Sequence, residues 1–154
     1  MNQVTAKYWT KSDLELLKLA KSIPDLRKIA FDVIYRMPLP VLQVCGPIST
    51  GGLGSIRENL MVFRRYIRAM QKDGWHVFDQ MPFEPAIQRI RSGCTDRTIE
   101  RSILYDFYLP LFKSGAISEL VFMPSWKESI GACWEFAQGT ILKMKITLLS
   151  HPVV

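Results

Sequence analysis

A chain of 154 residues, 48% hydrophobic and 22% charged with a mean hydropathy of +0.06, is about one globular domain long and excludes disorder, collagen and repeat arrays. Its 20 lysines and arginines against 14 aspartates and glutamates give a net charge of +6 and a pI near 9.4, a balance that favours anionic partners. No apolar run approaches the roughly 20 residues that cross a bilayer, and MNQVTAKYWTKSDLE lacks a signal peptide's apolar middle, so the expectation is a soluble cytoplasmic protein with no membrane contact.

Ser12 with Glu15 reads as a capping box ahead of Leu14, Leu16, Leu17 and Leu19, predicting a helix from Asp13 that fails near Pro24. Leu26, Ile29, Ala30, Val33, Ile34 and Met37 predict a second helix, after which Pro38 and Pro40 force an extended path. Residues 1–38 therefore read as a helical extension, and residues 39–154 as the main domain. Val41 opens VLQVCG, a short strand followed by the glycine-rich loop PISTGGLGS and a helix with Ile56, Leu60, Phe63, Ile67 and Met70 on one face. Gly74 ends that helix and WHVFD reads as a second strand, completing a βαβ crossover. Beyond a variable stretch from Gln80 to Asp96, Thr98 to Phe112 reads as helix, ELVFMP as a third strand, Ser129 to about Ile141 as helix, and KITLL as a fourth strand. This alternation predicts an α/β fold: a Rossmann- or flavodoxin-like parallel sheet with helices on both faces, binding ligands beyond the carboxyl ends of its strands.

The loops after the strands are where chemistry is expected. CGPISTGGLGS can turn backbone N–H groups toward an anion, although it matches neither a Walker A loop nor a strict GxGxxG. In PSWKESIGACWEFAQG, Ser129 reads as an N-cap and Glu135 follows six residues later between Trp134 and Phe136, where a carboxylate is not fully solvated. A structural reading competes: Ser129 caps only, and Gly131 and Ala132 serve close packing. Cys45, Cys94 and Cys133 form no CxxC pair and have no histidine cluster, which argues against a disulfide framework or a metal site. Arg57, Arg64, Arg68 and Lys72, spaced by seven, four and four, would form one stripe on a helix: a solvated face, or a nucleic-acid contact without interleaved aromatics to stack bases.

The CGPIS strand-loop, Asp106 in LYDFYLP, and MPSWKESIGACWEFAQG together resemble the nucleoside 2-deoxyribosyltransferase-like superfamily, which includes 2'-deoxynucleoside 5'-phosphate N-hydrolases. The resemblance spans about residues 41–149 and is most specific over Met123, Pro124, Trp126, Ser129, Gly131, Ala132 and Glu135, with Gly139 closing it. It implies a catalytic pair, with Glu135 as the nucleophile that attacks the anomeric carbon and Asp106 contacting the sugar or assisting departure of the base. It also implies a substrate-binding and phosphate-binding set of Gly46, Ile48, Ser49, Ser129 and Gly131, no cofactor and no metal. Serine rather than a carboxylate six residues before the glutamate tilts the substrate toward 5'-monophosphates, because a hydroxyl at a helix N-terminus tolerates the phosphate. Cleaving an N-glycosidic bond develops oxocarbenium character that an anion beneath the sugar stabilises or traps. The chain departs from the family at Gln43, where an aromatic residue is usual, at Ser49 in place of an arginine, and at Ser118 in place of an aspartate; Arg57 is a candidate substitute for that arginine.

Three functions follow. The leading one is N-glycosidic cleavage or transfer on a nucleoside 5'-monophosphate. The alternatives are a non-catalytic nucleotide- or nucleotide-sugar-binding protein and an interaction protein that binds nucleic acid through the Arg57 to Lys72 stripe. The apolar face of the first 38 residues, including Leu14, Leu17, Leu26, Ile29, Val33 and Ile34, adds the expectation of a homo-oligomer.

Overall fold

The structure is a computed structural model in which residues 1–151 are described. The chain divides into two compact units: residues 1–38 with 80–116 form unit 1, and residues 39–79 with 117–154 form unit 2. The first 38 residues thus share a unit with the stretch that begins at Gln80.

Unit 1 is helical. After the short α1 (Gln3–Ala6), α2 runs over Lys11–Leu19 and α3 over Ile23–Tyr35. The capping box of α2 is made by Thr10 and Asp13, not by Ser12 and Glu15: Asp13 N–H donates to Thr10 Oγ1 at 3.1 Å and Thr10 N–H to Asp13 Oδ2 at 2.7 Å. The helix accordingly begins two residues earlier than Asp13. Asp13 wins because Arg36 reaches it as well, with Nη1 2.6 Å from Oδ2, so the carboxylate serves a helix start and an ion pair at once. Ser22 and Asp25 cap α3 in the same way, with Pro24 in the first turn, where its missing N–H costs nothing.

The second half of unit 1 holds a 3₁₀ turn (Met81–Phe83), α5 (Glu84–Ser92), and α6 (Thr98–Ser102) leading into α7 (Leu109–Lys113). The predicted uniform helix from Thr98 to Phe112 is interrupted by a π-turn over Ile103–Tyr108, in which Leu109 N–H bonds back to Leu104 O. Pro110 explains this: it has no N–H for the carbonyl of Asp106 four residues earlier, and its ring crowds that carbonyl. Arg27 of α3 supplies the missing donor, its Nη1 lying 3.0 Å from Asp106 O. Arg89 likewise closes the end of α2, donating to the carbonyls of Leu17 and Ala20 at 3.1 and 2.9 Å. Leu26, Ile29, Ala30, Val33 and Ile34 are buried together with Phe83, Ala86, Ile87, Phe107 and Leu111, and ring pairs join Trp9 to Phe83 and Phe83 to Phe107 at 5.2 and 5.3 Å. The apolar face of α3 is therefore covered within the chain, whereas Leu14, Leu16 and Leu19 of α2 stay exposed.

Unit 2 is built on three parallel strands, β1 (Leu42–Cys45), β2 (Glu119–Phe122) and β3 (Lys145–Leu148), in the order β1-β2-β3. Register runs from Leu42 opposite Glu119 to Cys45 opposite Phe122, and from Glu119 opposite Lys145 to Phe122 opposite Leu148. WHVFD, expected as a full strand, contributes a single parallel bridge between Val77 and Leu42. That bridge rests on two bonds, Leu42 N–H to His76 O at 3.0 Å and Phe78 N–H to Leu42 O at 2.8 Å, and pairing does not reach back further because Trp75 N–H closes the preceding helix on Met70 O at 3.0 Å. The helix between, α4, covers Ile56–Lys72 with Ser55 as N-cap. Its buried face is Asn59, Phe63, Tyr66, Ile67 and Gln71, which keeps Phe63 and Ile67 of the expected one; Leu60 and Met70 are half-buried, and Ile56, at the start of the helix, is 37% exposed. After β2 come a 3₁₀ turn (Trp126–Glu128) and α8 (Ile130–Ile141), whose Gly139 lies against Leu120 and Ile146.

The crossover from β1 through α4 leads to Val77 on one side of β1, and that from β2 through α8 leads to β3 on the opposite side of β2. The direction in which the chain adds neighbours to the sheet therefore reverses between β1 and β2, although all three strands run parallel. In open α/β sheets this reversal opens a crevice at the carboxyl ends of the two strands.

Candidate functional site

The loop leaving β1 is held in place by α4 and by the start of α8. Asn59, on the buried face of α4, donates through Nδ2 to the carbonyls of Ile48 and Gly51, both at 3.0 Å, and accepts from Leu53 N–H at 2.8 Å. Gly51, at φ +70°, lies so close to the backbone carbonyl of Glu128 that a Cβ would clash, and Gly46 is packed equally tightly on Met123. A cavity of about 230 Å³ opens between these segments, lined by Pro47 and Leu53 of the loop, Asn59 and Val62 of α4, and Met123 and Glu128 beyond β2. It lies where the sheet topology places a crevice.

Several polar groups around this crevice have internal partners. Gly52 N–H donates to the Glu128 carboxylate at 2.9 Å, so the glycine-rich loop already binds an oxyanion, one supplied by its own chain. Ser129 is buried and is the N-cap of α8, its Oγ accepting from Ala132 N–H at 3.2 Å. Ile130 N–H donates to Thr50 Oγ1 at 3.0 Å, which folds the loop over the helix start. Ser49 and Ile48 lie in this loop, and Gly131 stands in the first turn of α8.

Glu135 projects from α8 toward β1 and is 7% exposed. Gln43 Nε2 donates to its Oε1 at 2.8 Å across 92 residues of sequence. Cys45, two residues along the same strand and so on the same face of the sheet, lies near enough to this carboxyl to interact with it electrostatically. Burial pushes Glu135 up to about 8, against the opposing effect of Cys45 and Gln43. Burial, with the charge of Glu135 second, raises the Cys45 thiol well above its ordinary value. Near neutral pH both groups are therefore predominantly protonated. Gln43 Oε1 is buried and receives no hydrogen bond among the described residues. Beside this cluster, Trp126 and Phe136 stack at 4.7 Å and Phe122 meets both rings at 5.2 and 5.5 Å.

Asp106 belongs to unit 1, where it stands exposed on the π-turn and accepts from Ser102 Oγ at 2.5 Å. Of the residues expected from the sequence, unit 2 holds Gly46, Ile48, Ser49, Ser129, Gly131 and Glu135. The sequence did not assign Gln43, Asn59, Thr50 or Glu128 to the site. Asn59 left a signal, an amide one turn before Phe63 on the inward face of an amphipathic helix. The pairing of Gln43 with Glu135 left none, because it exists only through the sheet.

Among the described residues no group of three or more histidine, cysteine, aspartate or glutamate side chains could hold a metal ion, and no helix is long and apolar enough to cross a membrane. No protein-family model, no curated protein and no solved structure matches this chain.

Proposed function

We propose that unit 2 binds a nucleoside 5'-monophosphate at the carboxyl ends of β1 and β2 and cleaves its N-glycosidic bond through Glu135. The observation that supports this is the buried Gln43–Glu135 pair with an unpaired amide oxygen. Burying a carboxyl and an amide with one acceptor unsatisfied costs about 1–3 kcal/mol relative to a fully paired arrangement, a cost that apolar residues would avoid. Such clusters, with a strongly shifted acid, are characteristic of functional sites. In the reaction, a Glu135 carboxylate oxygen attacks the anomeric carbon as the bond to the base breaks, and the departing base takes a proton from solvent; water then cleaves the resulting glycosyl ester, its oxygen going to the sugar and its proton to solvent, which regenerates the carboxylate. The amide of Gln43 orients the carboxyl. No step is assigned to Asp106.

Attack requires the ionised carboxylate. With Glu135 at about 8, a tenth of the protein is ionised near pH 7, so base release from deoxynucleoside monophosphates should climb about tenfold from pH 7 to pH 9. Chromatography of free base over that range checks this. Glu135→Gln should lower turnover by about 1,000-fold or more. Turnover persisting in both Glu135→Gln and Glu135→Ala removes Glu135 from the mechanism.

One observation favours the non-catalytic alternative: the bond from Gly52 to Glu128 places a carboxylate where a phosphate would compete for the same donor. A binding protein then takes up the monophosphate without releasing base, and Glu128→Gln tightens binding by about 3- to 10-fold by removing the competing charge. Calorimetry paired with base detection distinguishes the two.

A further inference from the structure

Helix α4 carries a surface that the proposed reaction does not use. Its 17 residues hold five cations, Arg57, Arg64, Arg65, Arg68 and Lys72, all exposed, against one carboxylate, Glu58. At 100° per residue the five fall within an arc about 100° wide, opposite the buried Phe63, Tyr66 and Ile67, and they extend over about 22 Å of helix. Arg57, Arg64 and Arg68 form one row and Arg65 with Lys72 a second, with Met61 between them. Glu58 sits at the edge of the arc, where Ser55 Oγ donates to it at 2.8 Å.

The arc contains no acid, and none of its five cations is in an ion pair among the described residues. Arg64, Arg68 and Lys72 are spaced i, i+4, i+8, an arrangement that destabilises a helix through like-charge repulsion. A merely solvated face is ordinarily interleaved with both signs. Five cations against one acid give this helix +4 of the +6 carried by the whole chain.

We propose that this face of α4 docks on the phosphate backbone of duplex DNA without reading its sequence. Charge complementarity carries the assignment, since a duplex presents one negative charge per roughly 1.7 Å of axis along a length that the cation rows can follow. The arc has no aromatic residue on which unpaired bases could stack, which disfavours a single strand. The apolar face of the helix is buried, leaving Met61 as the one large apolar side chain in the arc, too little to anchor the helix in a lipid layer. The major groove of duplex DNA, about 12 Å wide, admits a helix, whereas that of duplex RNA is too narrow.

Fluorescence anisotropy of the full chain with a labelled 20-base-pair DNA duplex of mixed sequence tests this. Binding at 50 mM salt should weaken with a log–log salt slope between about −3.6 and −4.5, as expected for four or five phosphate contacts. Arg64→Glu/Arg68→Glu should weaken it at least tenfold, while Lys18→Glu/Lys28→Glu, an equal charge change on exposed residues of unit 1, should hold it within threefold. Circular dichroism checks each variant, and if the reversal unfolds the helix, Arg64→Gln/Arg68→Gln should still reduce the slope by about 2. Four results overturn the proposal: no binding at 100 μM protein, equal weakening by both charge reversals, tighter binding to an RNA duplex of the same length, or tighter binding to phosphatidylserine-containing vesicles.

Discussion

Asp13 in unit 1 and Glu135 in unit 2 are both buried carboxyls, and their surroundings treat them in opposite ways. Burial pushes Asp13 up, but the guanidinium of Arg36 and the amide and hydroxyl of Thr10 outweigh it and hold the group below its ordinary value. Glu135 has only a neutral amide and a thiol for partners, so burial wins and it rises to about 8. A buried acid joined to a cation and a helix start is a staple. A buried acid left with neutral neighbours near the carboxyl end of a strand is expensive for the fold and available for chemistry.

The largest effect expected from this contrast is on stability against pH. Glu135 binds its proton more tightly folded than unfolded, so its contribution is complete below about pH 4.5 and lost as pH rises through about 8. Over that interval the wild type should lose a few kcal/mol relative to Glu135→Gln, whose amide does not ionise. Urea denaturation at pH 5, 7 and 9 measures this; parallel curves for the two proteins would mean that Glu135 is already ionised at neutral pH.

Asp13→Ala should come next, at about 2–3 kcal/mol, because it removes the acidic half of the capping box of α2 and the ion-pair partner of Arg36. Its pH dependence has the opposite sign: the stabilisation is complete above the unfolded value of 3.8 and lost as pH falls through the lower folded value. An acid titration of wild type and variant by circular dichroism should show the two converging at low pH.

Gln43→Leu should be the smallest, within about 1 kcal/mol at pH 6. Losing the bond to Glu135 is offset by removing the unpaired Oε1. What should move is the acid itself, further upward, since the amide that donates to it has gone. Carbon-13 NMR of the Glu135 side chain reads that shift directly; an unchanged titration would assign the orientation of the carboxyl to Cys45 alone.

The parts of this arrangement that sequence reveals are those encoded locally. The strands ending at Cys45, Phe122 and Leu148 show as short apolar runs, and the ends of α4 and α8 show in Ser55, Gly74 and Ser129. Legibility fails where a distant group decides between local options. Thr10 outcompetes Ser12 as a cap because Arg36 reaches Asp13 from 23 residues away. The π-turn requires Pro110 to release a carbonyl and Arg27 to receive it. In the candidate site, Glu135 is identifiable from its motif, but its protonation depends on Gln43 and on the depth at which the sheet holds it. The glycine-rich loop advertises an affinity for anions, and only the fold reveals that Glu128 already meets it.

The division of the chain has a consequence for anyone who would dissect it. The backbone passes between the units three times, after Pro38, Asp79 and Ala116. No single cut can liberate either one whole: a fragment starting at Leu39 discards α2 and α3 yet keeps the helices that share their core. A stop after Ala116 spares every residue of unit 1 but leaves β1 without its β2 neighbour. On a ribosome, the helical unit has all of its sequence by residue 116, while β1, made near the start, must wait for β2 to emerge. Any continuous piece that holds all three strands, from Leu42 to Leu148, carries the second half of unit 1 with it and leaves the first half behind unless the cut falls before α1.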